Sequence, residues 1–238
     1  MEHAQTIFKR YEIKYLLNRE QYRKIRDYMQ EYMEPDCYGR TSIYNIYFDT
    51  PDYCLIRESL EKPVYKEKLR LRSYGMDKNE GHVFVELKKK YDGIVYKRRE
   101  EMEFEEAREY LYDGRHPETD SQILREIDWF LKYHKNLEPK MYIAYDRIAL
   151  ADRDGSGLRI TFDKNIRWRN FKLDLQEADS GRQIIEDGYY LMEVKTPDSL
   201  PLWMTGILDK LELFPVSFSK YGRAYQDMKG LAGHGAVI

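Results

Sequence analysis

Alternation of polar and apolar side chains is the main pattern in this chain, and it recurs in about eight segments. The clearest segment is 66–73, where the even positions carry Lys, Lys, Arg and Arg while the odd positions include Leu69 and Leu71. Successive side chains of a strand point to opposite faces of a sheet. The segment therefore predicts a strand with one cationic face and one largely apolar face.

The other alternating segments predict a sheet built from similar strands. Asp92-Gly93 separates two of them and is typical of a tight hairpin turn. For a single strand of this kind a solvent-exposed edge strand is the simpler interpretation, so the prediction depends on the whole set. The predicted strands are 8–15, 43–49, 66–73, 83–90, 94–102, 141–149, 158–163 and 190–195.

Three segments with helical spacing indicate which way the polar faces point. Residues 19–33, 120–134 and 202–213 carry apolar residues three or four positions apart. Such helices need an apolar surface to cover, and the apolar faces of the strands supply one. We therefore expect an α+β protein: an antiparallel eight-stranded β-barrel with polar faces in its lumen and helices packed on the outside.

The predicted lumen is strongly cationic although the whole chain is not. The sequence has 40 Lys and Arg against 42 Asp and Glu, a net charge of −2. Close cations repel each other unless an anion of high charge density lies among them. A chain of phosphates fits such a lumen, whereas a nucleic-acid duplex is too wide to enter, so no nucleic-acid partner is expected. The thirteen cations on the predicted polar faces are Arg10, Lys14, Lys66, Lys68, Arg70, Arg72, Lys88, Lys90, Lys97, Arg99, Arg147, Arg159 and Lys195, against five carboxylates, Glu12, Asp49, Glu86, Asp163 and Glu193.

Length and composition predict one folded domain. The chain has 238 residues, of which 42% are hydrophobic, so a substantial core is available. Its longest stretch without a charged residue is 199–208, about half of the ~20 residues that a spanning helix needs. No signal-peptide pattern begins the chain, and Cys37 and Cys54 lack a metal-type spacing. We expect a single domain over residues 1–238 with a short flexible tail from about 230, located in the cytoplasm and without a membrane span of its own.

Motifs of the common nucleotide-binding and hydrolase folds are missing from the sequence. It contains no Gly-x-x-x-x-Gly-Lys-Ser/Thr loop, no His-Glu-x-x-His and no Cys-x-x-Cys. The five histidines are scattered, and no nucleophile elbow is present. These observations exclude the usual P-loop, zinc and Ser-His-Asp interpretations.

The ordered motifs resemble those of the triphosphate tunnel metalloenzymes, and within them the VTC-type polyphosphate polymerase domain (vacuolar transporter chaperone). They run in order from residue 10 to about 225, which is nearly the whole chain. Each motif is weak by itself, and the ordered set is specific. The matching stretches are Arg10-Tyr11-Glu12-Ile13-Lys14-Tyr15, Ile46-Tyr47-Phe48-Asp49, Lys68-Leu69-Arg70-Leu71-Arg72, Glu86-Leu87-Lys88, Tyr145-Asp146-Arg147, Leu158-Arg159-Ile160-Thr161-Phe162-Asp163, Leu191-Met192-Glu193-Val194-Lys195 and Ser217-Phe218-Ser219-Lys220-Tyr221.

The resemblance implies a tunnel that binds the triphosphate of ATP with a divalent metal, Mn²⁺ or Mg²⁺. VTC-type members move the γ-phosphoryl of ATP onto a growing polyphosphate chain and release ADP, so ATP and inorganic polyphosphate are the implied partners. The implied catalytic set is Lys14, Arg70, Arg72, Lys88, Arg147, Arg159 and Glu193, with Glu193 as the metal ligand. The resemblance also implies phosphate contacts at Lys97 and Lys220, and strand phase adds Arg10, Lys68, Arg99 and Lys195, with Glu12 as a second metal ligand.

The first strand differs from that of the hydrolytic branch of these enzymes. Members of the adenylate cyclase and thiamine triphosphatase branch resemble one another in a first strand with the pattern Glu-x-Glu-x-Lys. This chain has Arg10-x-Glu12-x-Lys14 at that place. A cation in place of a carboxylate weakens a two-metal hydrolytic site and favours binding of more phosphate. We therefore predict polyphosphate synthesis. A triphosphate or short-polyphosphate hydrolase and a non-catalytic polyphosphate sensor stay open, as does a separate membrane partner that receives the product.

Overall fold

Strands and helices are interspersed along the chain, and the strands that pair with each other are antiparallel. The computed structural model describes residues 11–75, 81–92, 94–197 and 199–231. Arg10, Gly93 and the tail beyond 231 lie outside these residues. The described strands are β1 (Tyr11–Leu17), β2 (Met33–Asp49), β3 (Tyr65–Tyr74), β4 (His82–Tyr91), β5 (Ile94–Glu103), β6 (Glu138–Asp152), β7 (Arg159–Arg169), β8 (Arg182–Gln183) and β9 (Tyr190–Thr196). The described helices are α1 (Arg19–Met29), α2 (Cys54–Leu60), α3 (Phe104–Asp113), α4 (Gln122–Tyr133), α5 (Leu202–Lys210) and α6 (Lys220–Met228).

All strands belong to one strongly curved antiparallel sheet. Its order is β1-β9-β7-β6-β2-β3-β4-β5, and the two-residue β8 pairs with β7. Within the described ranges no backbone ladder joins β1 to β5; instead, Glu12 on β1 lies 3.7 Å from Lys88 on β4. The free edge of β1 also accepts one hydrogen bond, from the Val216 amide to the Lys14 carbonyl at 2.7 Å. The predicted α+β tunnel fold with an antiparallel sheet is confirmed, but among the described residues the sheet is not closed into a barrel by a backbone ladder, and a side-chain pair joins β1 to β4 instead.

Four helices cover the outer apolar face of the sheet: the three that the sequence predicted and α3, which it did not. Helices α3 and α4 cover β2 to β5, where Ile127 and Phe130 are completely buried in the same cluster as Leu69. Helices α1 and α5 cover β1, β7 and β9, in a cluster that contains Ile25 and Met204. The predicted helices at 19–33, 120–134 and 202–213 are confirmed, each a few residues shorter than expected.

Two of these helices begin at polar capping residues. The caps fix the residue at which each helix starts and therefore which of its faces meets the sheet. The Asn18 side chain accepts from the Gln21 amide at 2.9 Å, and the Gln21 side chain accepts from the Asn18 amide at 3.0 Å. Ser121 caps α4 by accepting from the Leu124 amide at 3.1 Å. No helix in the described ranges combines the length and the apolar character that a membrane crossing requires.

A β-bulge in β7 divides the tunnel wall into a charged part and an apolar part. Asn165 has a φ of 50°, and the register between β6 and β7 shifts between Ala144 and Asp146. An extra residue at a bulge changes the face on which the following side chains lie. Asp163 therefore faces the tunnel before the bulge, and Ile166 and Trp168 face it afterwards.

Helices α2 and α6 depart from the predicted arrangement, because they pack on the apolar part of the inner face. Tyr221 and Ala224 of α6 share a buried cluster with Ile143 and Ile166 of the sheet, and α2 adds Ile56. The apolar inner side chains at this end need a cover, and α6 provides it. We call α2 and α6 together the plug, because they close this end of the inner face.

Asp49 holds the plug together rather than facing phosphate. Its carboxylate accepts from the backbone amides of Leu55 and Ile56 at 2.9 and 3.0 Å, which caps α2. It also accepts from the Tyr221 hydroxyl of α6 at 2.8 Å. Asp49 was counted among the five tunnel carboxylates from its strand phase, and the structure gives it this structural role instead.

Candidate active site

Glu86 on β4 organises the first group of tunnel cations. The Arg70 guanidinium donates to Glu86 Oε2 at 2.5 Å and to the Tyr47 hydroxyl at 3.1 Å. Lys97 approaches the other carboxylate oxygen at 2.8 Å. Burial by itself would raise the pKa of Glu86, but Arg70, Arg72 and Lys97 hold that pKa well below its usual range. Glu86 therefore stays ionised and keeps Arg70 in place.

Arg72 is held mainly by neutral groups. It donates to Asn45 Oδ1 at 2.9 Å and to the hydroxyls of Tyr74 and Tyr145 at 3.2 Å each. The Glu86 carboxylate lies farther away, at 3.7 Å. Because neutral acceptors fix its position and balance little of its charge, Arg72 retains a strong attraction for an anion.

Asp163 binds two cations from different elements. Arg147 of β6 forms a two-pronged pair with Asp163 at 2.6 and 2.7 Å. Lys220, the first residue of α6, lies 2.6 Å from the same carboxylate. The plug helix thus delivers its cation into the tunnel, as the sequence predicted for Lys220. Strand phase placed Asp163 among the five polar-face carboxylates, but Asp163 was not among the individually predicted site residues.

Glu193 on β9 stands at the centre of four cations. Burial would raise its pKa, but these cations hold the pKa of Glu193 well below its usual range. Lys14 of β1 is directly opposite Glu193 in the ladder. All four contacts are longer than those of Asp163: Lys220 at 3.2 Å, Arg147 at 3.3 Å, Lys14 at 3.5 Å and Lys195 at 3.5 Å.

Glu12 links β1, at one edge of the sheet, to β4, the strand next to the other edge. It lies 3.2 Å from Lys14 and 3.7 Å from Lys88. Burial opposes its ionisation, yet Lys88, Lys14 and Lys195 lower the pKa of Glu12 to about 2. The structure therefore brings Glu12, Lys14, Lys88 and Lys195 together, in agreement with their predicted positions.

Lys68 lies among other cations. Its amine donates to the Ser219 hydroxyl at 3.0 Å, and Ser219 in turn caps α6. Burial, followed by the charges of Lys88 and Lys14, lowers the pKa of Lys68 to about 7. Lys68 therefore gains charge stabilisation only when an anion enters this part of the tunnel.

Arg159 and Arg99 make separate contacts outside these carboxylate groups. Arg159 donates to Asp36 at 2.5 Å, and Asp36 belongs to a bulge where the register of β2 and β6 shifts between Pro35 and Arg40. Arg99 lies over the Phe84 ring, 4.2 Å from its centroid.

The buried carboxylates change the expected electrostatics of the tunnel. Strand phase predicted cations that repel each other until an anion binds. Instead, Glu86, Asp163 and Glu193 project into the same space and balance much of the charge. The expectation of uncompensated charge holds for only part of the tunnel, around Lys68.

Oxygen donors beside Glu193 fit a hard divalent cation. Thr161 is directly opposite Glu193 in the β7–β9 ladder, and its buried hydroxyl has no hydrogen-bond partner among the described residues. Mg²⁺ prefers oxygen ligands and takes most of them from phosphates and water, so one or two carboxylates suffice. The described residues hold no group of three or more His, Cys, Asp or Glu side chains suited to a metal. The protein's own share would be Glu193 with Glu12 and Thr161 nearby.

Several residues of the site were not among the sequence predictions. Tyr47, Asn45 and Tyr145 share the inner phase of their strands, so phase could have found them, but an uncharged side chain gave no reason to select them. Asp36 and Ser219 lie outside the predicted strands. Only the three-dimensional structure shows that they hold Arg159 and Lys68.

Solved structures with the same architecture define the class of fold. A protein from Bacillus halodurans described as a candidate adenylate cyclase superposes with a TM-score of 0.53 at 14% identity, over 89% of this chain and 95% of that one. A candidate adenylyl cyclase from Hippeastrum, HpAC1, for which a dominant triphosphatase activity is described, gives a TM-score of 0.53 at 18% identity, over 92% and 95% of the two chains. The chain therefore has the triphosphate tunnel fold.

A family model narrows this class. The VTC domain model matches residues 9–229, which is nearly the entire chain. The chain therefore belongs to the VTC domain family. No curated protein sequence shows a significant match to it.

Proposed function

We propose that this protein synthesises inorganic polyphosphate by transferring the γ-phosphoryl of ATP to the end of a polyphosphate chain. Membership of the VTC domain family and the triphosphate tunnel fold support an enzyme that acts on polyphosphate or on a triphosphate. The choice of synthesis over hydrolysis depends on the chemistry of the tunnel carboxylates.

The observation that carries the proposal is that each of those carboxylates is paired with lysines or arginines inside the tunnel. The pKa values of Glu12, Glu86, Asp163 and Glu193 are all lowered by the cations that surround them. A carboxylate with a lowered pKa is a poor general base for activating water. The terminal phosphate of polyphosphate is already ionised near neutral pH, so it needs no base. The site therefore suits a phosphate nucleophile better than water.

The proposed reaction is an in-line phosphoryl transfer. A terminal oxygen of the polyphosphate chain attacks the γ-phosphorus of ATP, and the bond from that phosphorus to the β–γ bridging oxygen breaks. ADP leaves with the bridging oxygen, and the chain is longer by one phosphate. Such a reaction mainly requires positioning and neutralisation of charge on the transferred group.

The tunnel cations divide this work by their chemistry. Arg70, Arg72 and Arg147 offer forked donors that grip phosphate oxygens. Around them, point charges that neutralise the phosphates come from Lys14, Lys88, Lys97, Lys195 and Lys220, with Arg159 and Arg99 as further contacts.

Glu193 is the residue that would hold the divalent cation in this proposal. When bound there, Mn²⁺ or Mg²⁺ supplies additional charge neutralisation on the phosphate oxygens. Lys220 and Arg147 contact Glu193 at 3.2 and 3.3 Å, and in this proposal they exchange the carboxylate for phosphate when the nucleotide binds.

The test is to incubate the purified chain with ATP and either Mn²⁺ or Mg²⁺, and to quantify ADP, orthophosphate and polyphosphate in the same sample. ADP together with polymer supports the proposal. Orthophosphate without polymer would identify a hydrolase in the same tunnel. Neither product, with retained polyphosphate binding, would identify a sensor, and both of these results overturn the proposal.

A further inference from the structure

The strand β5 ends the sheet with a long unpaired edge. It occupies the last position in the strand order, and one of its sides pairs with β4 from Ile94 to Glu103. Among the described residues, the backbone groups on its other side form no hydrogen bond with another element. At the opposite edge of the sheet, β1 is shorter and accepts a hydrogen bond from the Val216 amide. A long unpaired edge is a template on which a further strand can pair.

Most of the features that protect a sheet edge in other proteins are missing from β5. Proline, a β-bulge or a covering element would prevent a second strand from pairing. The strand contains no proline, its register with β4 is continuous, and α3 and α4 pack on the outer face of the sheet. Charged side chains can also protect an edge, and β5 carries Lys97, Arg98, Arg99, Glu100, Glu101 and Glu103. The order of these charges decides whether a second strand is repelled or attracted.

The charges of β5 are separated into two blocks of opposite sign. Residues 97–99 are all cations, and the charged residues within 100–103 are all carboxylates. When two copies of a strand pair in the antiparallel direction, the first half of each lies opposite the second half of the other. A strand with charges of one sign would repel its copy, whereas the two blocks of β5 attract each other. The edge is therefore complementary to itself, as a two-fold interface requires.

The register of such a pair can be read from the positions of the charges. A two-fold axis at Arg99 places Lys97 opposite Glu101. The same axis places Arg98 opposite Glu100, and symmetry repeats both pairs, against one like-charged pair of Arg99 with its own copy. An axis shifted by one residue, to 100, also brings cations opposite carboxylates. The Glu101 side chain is 55% exposed, so a second strand can reach it.

We propose that two copies of this chain associate by antiparallel pairing of their β5 edges, in a two-fold dimer whose sheet continues from one molecule into the other. The inference is independent of the proposed function, because no tunnel ligand takes part in the contact. A contact made by one edge strand buries less surface than a permanent dimer does, so the dimer is reversible. Its affinity falls as salt screens the exposed charges.

The test is sedimentation velocity on the full chain at low salt, over protein concentrations up to about 0.2 mM. The wild type is expected to form a concentration-dependent dimer. Glu100→Lys/Glu101→Lys makes the charged part of the edge mostly cationic, and Arg98→Glu/Arg99→Glu makes it mostly acidic. In each variant alone we expect the Kd of the dimer to rise at least about tenfold, because like charges then face each other. An equimolar mixture of the two variants pairs a cationic edge with an acidic one and should restore the dimer.

The matched control changes the net charge equally at another place. Glu186→Lys/Asp187→Lys reverses two exposed carboxylates in the turn before β9. This variant should dimerise like the wild type.

Four results would overturn the pairing of β5 edges. They are a monomeric wild type, a dimer that persists in either edge variant alone, a mixture that stays monomeric, and an equal loss of dimer in the control. Circular dichroism shows whether each variant is folded. If an edge variant does not fold, the wild type decides by its salt dependence, and a Kd that does not rise between about 0.05 M and about 1 M salt overturns the proposal.

Discussion

Two buried lysines of the tunnel, Lys68 and Lys220, show how neighbouring charges determine whether a lysine is protonated. Burial alone would lower both pKa values. Asp163 and Glu193 raise the pKa of Lys220 above its ordinary value, whereas burial and the neighbouring cations lower the pKa of Lys68 to about 7. Lys220 is therefore a permanent cation, and the charge of Lys68 depends on its ligand.

We predict that polyphosphate binding weakens as the pH rises from about 7 to about 9 because of Lys68. Without ligand Lys68 loses its proton above about pH 7, and bound phosphates raise its pKa, so binding takes up a proton. Titration calorimetry in two buffers of different ionisation enthalpy measures that proton. The charged or polar groups that face Lys68 are Lys14, Lys66, Arg70, Lys88 and Ser219.

The variant Lys68→Met provides the control for this prediction. It cannot be protonated at this position, so proton uptake should decrease and the affinity should depend less on pH. An identical pH dependence in the variant and the wild type would assign the proton to another group, such as the phosphate itself.

A second prediction concerns Glu193 as the metal ligand. Glu193→Gln keeps the shape of the side chain but removes its charge, so we expect Mn²⁺-dependent turnover to fall by about 100-fold or more. Titration of Mn²⁺ in the presence of ADP measures the metal affinity directly. Glu126→Gln is the matched control, because Glu126 pairs with Lys89 and Arg98 on the outer face. Unchanged Mn²⁺ binding in Glu193→Gln would remove this residue from the metal site.

At the scale of elements, α6 combines structural and functional roles. Its buried residues cover the apolar part of the inner face, while Ser219 and Lys220 at its start reach into the charged part. The hydrogen bond from Tyr221 to Asp49 connects α6 to the cap of α2. Tyr221 directly follows Lys220, so the hydrogen bond between Tyr221 and Asp49 also helps to fix the position of Lys220.

Tyr221→Phe tests this connection. It removes one hydrogen bond to a buried carboxylate, so we expect the free energy of unfolding to fall by about 1–3 kcal/mol. We also expect weaker tripolyphosphate binding, because Lys220 is less firmly positioned. Urea unfolding and calorimetry measure the two effects, and Tyr225→Phe, on the same helix, is the control. Loss of stability without any change in binding would show that the plug does not position Lys220.

The elements also show which parts of the fold the sequence could reveal. The alternation of polar and apolar residues predicted the strands and which side chains lie on each face of the sheet. It thereby placed on the polar face Lys14, Arg70, Arg72, Lys88, Arg147 and Glu193. The alternation did not predict the second half of β7, because the bulge at Asn165 interrupts the two-residue period. The pattern of α6 shows that one of its faces is buried, but not which side of the sheet it covers. That choice depends on partners distant in sequence, such as Ile143 and Ile166.

The stability of the whole molecule depends on carboxylates and cations that are enclosed together in the tunnel. Four carboxylates with lowered pKa values lie among the tunnel cations, and those pKa values are lower in the folded chain than in the unfolded chain. Their contribution to stability is therefore fully present above the unfolded pKa of about 4.5 and is lost as the pH falls toward the folded values.

We accordingly predict strong destabilisation in acid. The urea concentration at the midpoint of unfolding should be nearly constant from about pH 7 to about pH 5 and should fall steeply toward about pH 3. Glu86→Gln should reduce this slope, because Glu86 contributes one of the lowered pKa values. A midpoint that does not change between pH 5 and pH 3 would contradict the prediction.

The opening between β1 and β5 has a consequence for how a polymer meets this protein. Among the described residues, backbone ladders join the other neighbouring strands of the wall, whereas Glu12 of β1 and Lys88 of β4 meet across this gap through partly exposed side chains. A pair of this kind contributes at most about 1 kcal/mol and weakens in salt. This is the seam along which the wall separates most easily. If the wall separates there, a polyphosphate chain can be laid in sideways and need not be threaded from an end.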